Sequence, residues 1–303
     1  MNFKDRIILQ LRIGGKNMEK IILNLRKKIL HLLNKDYNIY FVNSATFGLF
    51  SILFDSNITK IGIPDQGGFK GFIEIPKLLK KNYVEFHTDN GIIVPKFKKE
   101  FDVFLFTSLS GHIRSNPSQE ICKNLMNKGI VSIEDISGVF PDKDFGWADV
   151  IYCSTGSPKI LECGYGGFVG ISPDINLEES EKILSFSKLP DSYYLKLSDE
   201  IENAQEKLNT LRNMAQIFQK SSLEIPYKEP KSISVFVRDE NPIKSLELLN
   251  KKIRPKTGKS LFTKCPRYDR TKEKGFVIET IKLYGMKNDE VKEISEIIEK
   301  IIL

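Results

Sequence analysis

Short apolar segments alternate with amphipathic stretches along residues 17–175. Residues 17–34 repeat Ile and Leu at helical spacing, which predicts an amphipathic helix. Segments rich in Val, Ile and Phe predict buried strands, at 39–42, 60–63, 84–87, 103–107, 130–133, 150–153 and 168–171. Helices are predicted between several of them, at 47–54, 69–81 and 117–128, with a short one after Lys159.

Apolar strands separated by helices predict a mostly parallel sheet that helices cover on both faces, an α/β three-layer sandwich. After about residue 175 the pattern becomes charged and helical, at 177–186 and 191–220. Strands at 232–238 and 275–284 then alternate with helices at 242–249 and 288–302. We predict an N-terminal helical segment (1–38), a large domain (39–175), linking helices (176–225) and a small C-terminal α+β domain (226–303).

The 303 residues, 41% of them hydrophobic, are enough for a large core. The net charge of +7 comes from scattered lysines without a nucleic-acid motif, so we expect no nucleic-acid partner. No apolar run approaches the roughly 20 residues of a membrane span, and no signal-length apolar stretch begins the chain. The four cysteines form no CxxC pair and the three histidines are dispersed. We therefore expect no metal site, no membrane association and a cytoplasmic location.

Polar residues follow the predicted strands at the edge where the active sites of such sheets lie. Residues 43–46 read Asn-Ser-Ala-Thr and open a helix. The N-terminus of that helix can hold a phosphate, or the serine can be an ordinary N-cap. The strand at 130–133 runs into Glu134 and Asp135, which can be a metal ligand, a surface turn or a cofactor contact.

The following strand leads to a single lysine. Ser154 precedes Lys159 by five residues, and glycines at 164, 166 and 167 form a bend into the next strand. A lysine amine and an aspartate at neighbouring strand ends are what pyridoxal phosphate (PLP) chemistry needs. The lysine forms a Schiff base and the aspartate keeps the pyridine nitrogen protonated.

The order of these features resembles fold-type I PLP-dependent enzymes, and among them the sugar aminotransferase family often called DegT/DnrJ/EryC1/StrS. The motifs of that family are a Ser/Gly-Thr turn opening a helix, an acidic strand end, a serine five residues before a lysine, and a glycine bend. Here they read NSAT (43–46), SIEDIS (132–137), STGSPK (154–159) and GYGG (164–167). The resemblance covers about residues 40–172.

The resemblance implies a PLP-dependent aminotransferase that acts through a Lys159 Schiff base on a small carbonyl or sugar-like substrate. Lys159 and Asp135 would be catalytic, with Asp135 on the pyridine nitrogen. The cofactor would be bound by Ser44, Ala45, Thr46, Phe69, Asp135, Ser137, Ser154 and Lys159, with Phe69 stacked on the ring. The partners would be an amino donor, a carbonyl acceptor and a second copy in a homodimer.

Arginine suits a substrate carboxylate or phosphate because its guanidinium offers a planar fork of donors. The first candidates are Arg114, Arg267 and Arg270, and Arg238 and Arg254 are further candidates.

Two departures from the family keep other functions open. Gly138 stands where the family has a glutamine, and the Asn-x-Arg loop that serves the partner's cofactor has no match near 186–198. The chain is also shorter than a typical member. The alternatives are a PLP-dependent lyase, desulfurase or decarboxylase, and a shortened protein of the same fold that binds without catalysis.

Overall fold

The structure is a computed structural model that describes residues 3–98, 100–253 and 258–303. The elements up to residue 171 are α1 (Phe3–Leu32), β1 (Asn38–Val42), α2 (Ala45–Phe54), β2 (Lys60–Pro64), α3 (Gly71–Leu78), β3 (Asn82–Phe86), β4 (Val103–Thr107), β5 (Leu109–Ser110), β6 (Arg114–Ser115), α4 (Ser118–Met126), β7 (Val131–Asp135), β8 (Val150–Ser154) and β9 (Gly167–Ile171). The later ones are α5 (Glu178–Ser185), α6 (Asp191–Gln219), β10 (Val235–Arg238), α7 (Pro242–Lys252), β11 (Phe262–Cys265), β12 (Gly275–Ile278), the 3-10 helix Thr280–Leu283 and α8 (Asn288–Ile302).

Seven strands form one sheet in the order β1-β9-β8-β7-β4-β2-β3. β9 runs antiparallel to both of its neighbours, and every other pair in the sheet is parallel. The carboxyl ends of the other six strands therefore meet at one edge of the sheet. This mostly parallel arrangement confirms the predicted α/β fold class.

Alternate side chains of each central strand pack on opposite faces of the sheet. In β8, Val150 and Tyr152 belong to one apolar cluster, with side chains of α2, whereas Ile151 and Cys153 belong to the other, with side chains of α4 and α6. Both clusters are buried because helices cover both faces, which explains the near-continuous apolar strands in the sequence. None of the described helices is long and apolar enough to cross a membrane.

The seven strands predicted for this sheet are confirmed, with ends that differ by at most two residues. The short helix predicted after Lys159 is wrong, because residues 157–161 form bends. A bridge joins Gly156 to Gly164 and the chain re-enters the sheet at Gly167, so the segment after Lys159 forms the return to β9. The division into four parts stays a prediction.

A second sheet follows α6 and has the antiparallel order β10-β12-β11. The sequence did not predict β11, a strand of four residues with no long apolar run. The strand predicted at 275–284 ends at Ile278, and its second half is the 3-10 helix Thr280–Leu283.

Glu134 in β7 is a buried carboxylate that joins three segments of the large sheet domain. It accepts hydrogen bonds from the hydroxyls of Ser108 and Ser118, at 2.7 and 2.8 Å, and from the backbone N–H groups of Gly146 and Trp147, both at 3.1 Å. Burial raises its pKa, and these four hydrogen bonds oppose that shift. A buried carboxylate with four donors is a structural group rather than an open ligand.

We expect Glu134→Ala to destabilise the fold strongly, because four buried donors would lose their acceptor. The free energy of unfolding should fall by about 3 kcal/mol or more, as measured by urea denaturation. Glu120→Ala, at an exposed position of α4, is the control and should change it by less than about 0.5 kcal/mol. A Glu134→Ala protein as stable as the control would contradict this structural role.

Candidate active site

The carboxyl-end edge of the large sheet contains a cavity of about 230 Å³ between several loops. Phe69 follows β2, Asp135 ends β7, and Lys159 lies in the connection from β8 to β9; all three line this cavity. The structure thus brings together an aromatic ring, a carboxylate and an amine that are distant in the sequence.

A second cavity of about 220 Å³ adjoins the first and shares three lining residues with it, His112, Lys159 and Arg270. Its other polar walls come mainly from the region of the small sheet: Ser137, Ser157, Ser234, Thr263, Glu279 and Lys282. Lys159 therefore faces two compartments, one with the aromatic ring and carboxylate, the other with mixed polar groups.

Asp135 is held at the strand end by its own turn. The backbone N–H of Ser137 donates to Asp135 Oδ1 at 2.9 Å, and the Ser137 hydroxyl accepts from the backbone N–H of Ser154 at 2.8 Å. The second bond ties the end of β7 to the end of β8. Tyr152 is buried close by, and burial, followed by the Asp135 charge, raises its pKa well above the usual value.

The turn at 43–46 is an ordinary helix start in its side-chain contacts. The Ser44 hydroxyl accepts from the Phe47 backbone N–H at 3.0 Å as the N-cap of α2. Ala45 is buried and Thr46 is exposed. None of these three residues, nor Ser154, lines either of the two cavities that contain Lys159. Their predicted role in phosphate binding stays a prediction.

Gly166 connects the two segments that are candidates for phosphate binding. Its N–H donates to the carbonyl of Asn43 at 3.1 Å, and its carbonyl accepts from the N–H of Thr155 at 3.1 Å. Its φ is +84°, and a Cβ there would lie 2.5 Å from the ring of Tyr193. Both the dihedral and the space at this position require glycine.

Of the arginine candidates for substrate binding, Arg270 lines both cavities. Its Nε donates to Glu279 Oε1 at 2.9 Å, its Nη2 forms an ion pair with the same oxygen at 2.9 Å, and its Nη1 donates to the carbonyl of Asp269. Glu279 is 3% exposed and also accepts from the hydroxyls of Thr263 and Ser234. The Arg270 guanidinium is therefore fixed in the wall, with donor positions left over.

The other arginines lie elsewhere. Arg114 donates to the carbonyls of Asp89 and Asn90 and stacks on Tyr227, 4.6 Å from the ring centroid. Arg267 is exposed and pairs with Asp269 at 2.6 Å. Neither lines a cavity with Lys159. Arg238 pairs with Glu224 and Glu273, and Arg254 lies outside the described residues.

Residues 266–272, between β11 and β12, dock onto the loop after β2. The Gly67 N–H donates to the Tyr268 carbonyl at 2.6 Å, and Gln66 Oε1 accepts from the Lys272 N–H at 2.8 Å. The Tyr268 hydroxyl donates to the Pro64 carbonyl at 3.1 Å. Through these bonds the small sheet supplies Asp269 and Arg270 to the cavity walls, and no local motif in the sequence indicates this.

His112 was not among the predicted site residues, although it lines both cavities. The sequence carried one weak signal, a histidine directly after the glycine of the β5–β6 turn. Within the described residues, no group of three or more His, Cys, Asp and Glu side chains could hold a metal ion.

Comparison with solved structures places this fold among aminotransferases. The aminotransferase TlmJ from Streptoalloteichus hindustanus aligns with a TM-score of 0.71 and 14% identity, over 91% of this chain and 89% of that one. Helicobacter pylori PseC, an aminotransferase of pseudaminic acid biosynthesis, gives 0.69 and 14%, over 92% and 90%. An aspartate aminotransferase of subgroup IV from Thermus thermophilus gives 0.67 and 13%, over 95% and 92%. At these identities the likeness shows the fold alone.

Comparison of the sequence with known protein families matches only the C-terminal part of the chain. Residues 205–301 match a family described as the MJ1341 family C-terminal domain. This segment includes the second half of α6 and the small sheet and excludes Asp135 and Lys159. No curated protein matches the chain.

We expect Gly166→Ala to disturb the site more than Gly164→Ala. Both glycines have positive φ, but a Cβ at 166 meets Tyr193, whereas one at 164 has nothing within 4 Å. The strain alone costs about 1–2 kcal/mol, and the contact at 166 adds to it. Denaturant unfolding should show Gly166→Ala to be the less stable variant. Equal losses of unfolding free energy in the two variants would mean that the Tyr193 ring moves aside without loss of stability.

Proposed function

We propose that this protein is a PLP-dependent aminotransferase with Lys159 as the residue that attaches the cofactor. The observation that carries this proposal is the single cavity lined by Phe69, Asp135 and Lys159. The aminotransferase fold supports it, since the three residues lie at the strand-end edge where the ligands of such sheets bind.

The residues present fit the cofactor. The cavity offers a carboxylate for the pyridine nitrogen, an amine for the aldehyde and an aromatic ring for the face of the pyridine. The buried Nδ1 of His112 adds a polar atom that has no hydrogen-bond partner among the described residues. Ser44, Ala45, Thr46 and Ser154, at the ends of β1 and β8, would hold the phosphate. When bound, the cofactor supplies an electron-withdrawing ring that stabilises negative charge on the substrate carbon.

The protein contributes proton movement and orientation. Lys159 would move a proton at its Nζ between the substrate carbon and the cofactor carbon, because it faces both compartments. Asp135 would keep the pyridine nitrogen protonated, and its hydrogen bond from Ser137 fixes its orientation. Phe69 would hold the plane of the ring.

The second compartment indicates the kind of substrate. It is small and carries the cations of Arg270 and Lys282 together with the hydroxyls of Ser234 and Thr263. The one carboxylate in this wall, Glu279, is already saturated by its donors. A compact carbonyl compound with an anionic group fits this lining better than a nucleotide-sugar does.

A homodimer in the cytoplasm belongs to the same proposal. Exposed apolar side chains lie on either side of β9 in the sequence, among them Tyr165 in the glycine bend and Phe186 after α5. A second copy would cover such side chains in a dimer.

The purified protein should bind added PLP and show an absorbance band that borohydride reduces. Mass mapping should then find the cofactor on the peptide that contains Lys159. Lys159→Ala should abolish this covalent label, whereas Lys196→Ala, at an exposed position of α6, should keep it. A folded wild-type protein that takes up no PLP would overturn the proposal and favour a non-catalytic binding protein.

The second candidate is lyase chemistry on the same cofactor, because the scaffold permits either reaction. We expect a panel of amino acids to yield an α-keto acid together with an equal amount of pyridoxamine phosphate. Release of sulfide, ammonia or carbon dioxide instead would identify a desulfurase, lyase or decarboxylase.

A further inference from the structure

His112 stands at the junction of the two compartments. Together with Lys159 and Arg270 it is shared by both cavities. Its side chain is partly buried, and its Nδ1 is shielded from solvent. The proposed mechanism does not use this imidazole, although it lies where the reacting groups would meet.

Backbone hydrogen bonds hold the main chain of His112 on two sides. Gly111 and His112 have φ values of +56° and +64° in the turn between β5 and β6. The His112 N–H donates to the Leu109 carbonyl at 3.0 Å, and its carbonyl accepts from the Ile233 N–H at 3.2 Å. Gly111 packs so closely on Arg270 that a Cβ there would lie 2.5 Å from the Arg270 carbonyl oxygen. The main chain that carries the imidazole is therefore fixed in place.

Gly138 makes room for this imidazole. A Cβ at position 138 would lie 2.8 Å from His112 Nδ1 and 3.1 Å from Cε1. A side chain at 138 and the present position of His112 thus exclude each other. The imidazole fills the space next to the Asp135 turn that a longer residue at 138 would occupy.

The surroundings keep this imidazole neutral. Burial lowers the pKa of His112 well below its usual value, and the positive charges of Arg270 and Lys159 lower it further. A neutral imidazole has one N–H donor and one acceptor nitrogen. Within the described residues, Nδ1 has no hydrogen-bond partner. Nε2 is not among the shielded atoms, so it is the ring nitrogen that a ligand in the cavity can reach.

We propose that His112, whose imidazole occupies the space that Gly138 leaves free, is a cofactor-binding residue that hydrogen-bonds to the ring hydroxyl of PLP. The inference rests on the proposed function. In PLP the hydroxyl is on the carbon next to the one that bears the aldehyde, so a polar group beside Lys159 is placed to meet it. A neutral imidazole can donate to the ionised hydroxyl or accept from the protonated one.

The test compares His112→Asn with His112→Gly. Both residues tolerate the left-handed dihedrals at this position, so backbone strain does not separate them. We expect His112→Gly to weaken PLP binding by about tenfold or more, and His112→Asn, which keeps a hydrogen-bonding side chain, to bind more tightly than His112→Gly. Dissociation constants are measured by absorbance or fluorescence titration, and thermal unfolding without cofactor checks that both variants fold.

A PLP analogue with a methylated ring hydroxyl identifies the atom that His112 contacts. If the contact is to this hydroxyl, wild type and His112→Gly should bind the analogue with similar affinity. A His112→Gly protein that loses affinity equally for PLP and the analogue would overturn the assignment to the hydroxyl.

Gly138→Ala provides an independent check through a double-mutant cycle. In the presence of His112 the added methyl group must displace the imidazole, so PLP binding should weaken. In the His112→Gly background the same methyl group should have little effect. Two results would contradict this inference without affecting the proposed function. One is an equal effect of Gly138→Ala on PLP binding in both backgrounds, and the other is wild-type affinity and spectrum in His112→Gly. Failure of the wild-type protein to bind PLP would instead sink the proposed function.

Discussion

The reversal of the chain between β8 and β9 is the constraint on which the candidate site depends. β9 enters the sheet antiparallel, between β1 and β8, after a connection of twelve residues, 155–166. The connection therefore stays at the sheet edge, and Lys159 stays with it. Gly166 makes the return possible and also bonds to Asn43 and Thr155. One glycine thereby brings the end of β1 to the end of β8, so the topology and the candidate cofactor site have the same physical cause.

The adjacent carboxylates of β7 have different surroundings because strand side chains alternate between the two faces of the sheet. Glu134 points inward, where four donors compensate for its burial. Asp135 lines the cavity, and its Oδ1 accepts from the Ser137 N–H of its own turn. A carboxylate with unused acceptor capacity at a cavity wall is the one available to a ligand. The same reasoning separates Arg270 from Arg114, since the Arg114 guanidinium is engaged away from both cavities.

The sequence could indicate Asp135 and Lys159 because both follow from local patterns, an apolar strand with a polar end and a lysine before a glycine bend. Parallel strands then place the two ends at one edge without further information. His112 could not be found this way, since its importance arises from Gly138, from Ile233 and from two cations on other elements. The helix predicted after Lys159 is absent for a related reason. Pairing of β9 with β1 and β8 determines the path of this segment more strongly than its local helix propensity does. The sequence could not separate Arg270 from the other four arginine candidates for substrate binding. The docking of residues 266–272 places it in the cavity wall.

That docking joins the two halves of the candidate site. In the hydrogen bonds to Gly67 and Gln66, residues 266–272 use their own backbone groups, the Tyr268 carbonyl and the Lys272 N–H. These two bonds therefore fix the path of the segment without its side chains. Arg270 is then carried to the wall between the compartments, where Glu279 from β12's end holds its guanidinium. His112 is bonded to the small-sheet side through Ile233 and lies against the Asp135 turn through Gly138. A shift of the small sheet would therefore move Arg270 and His112 together, so the two cavities that share them would change geometry as one unit.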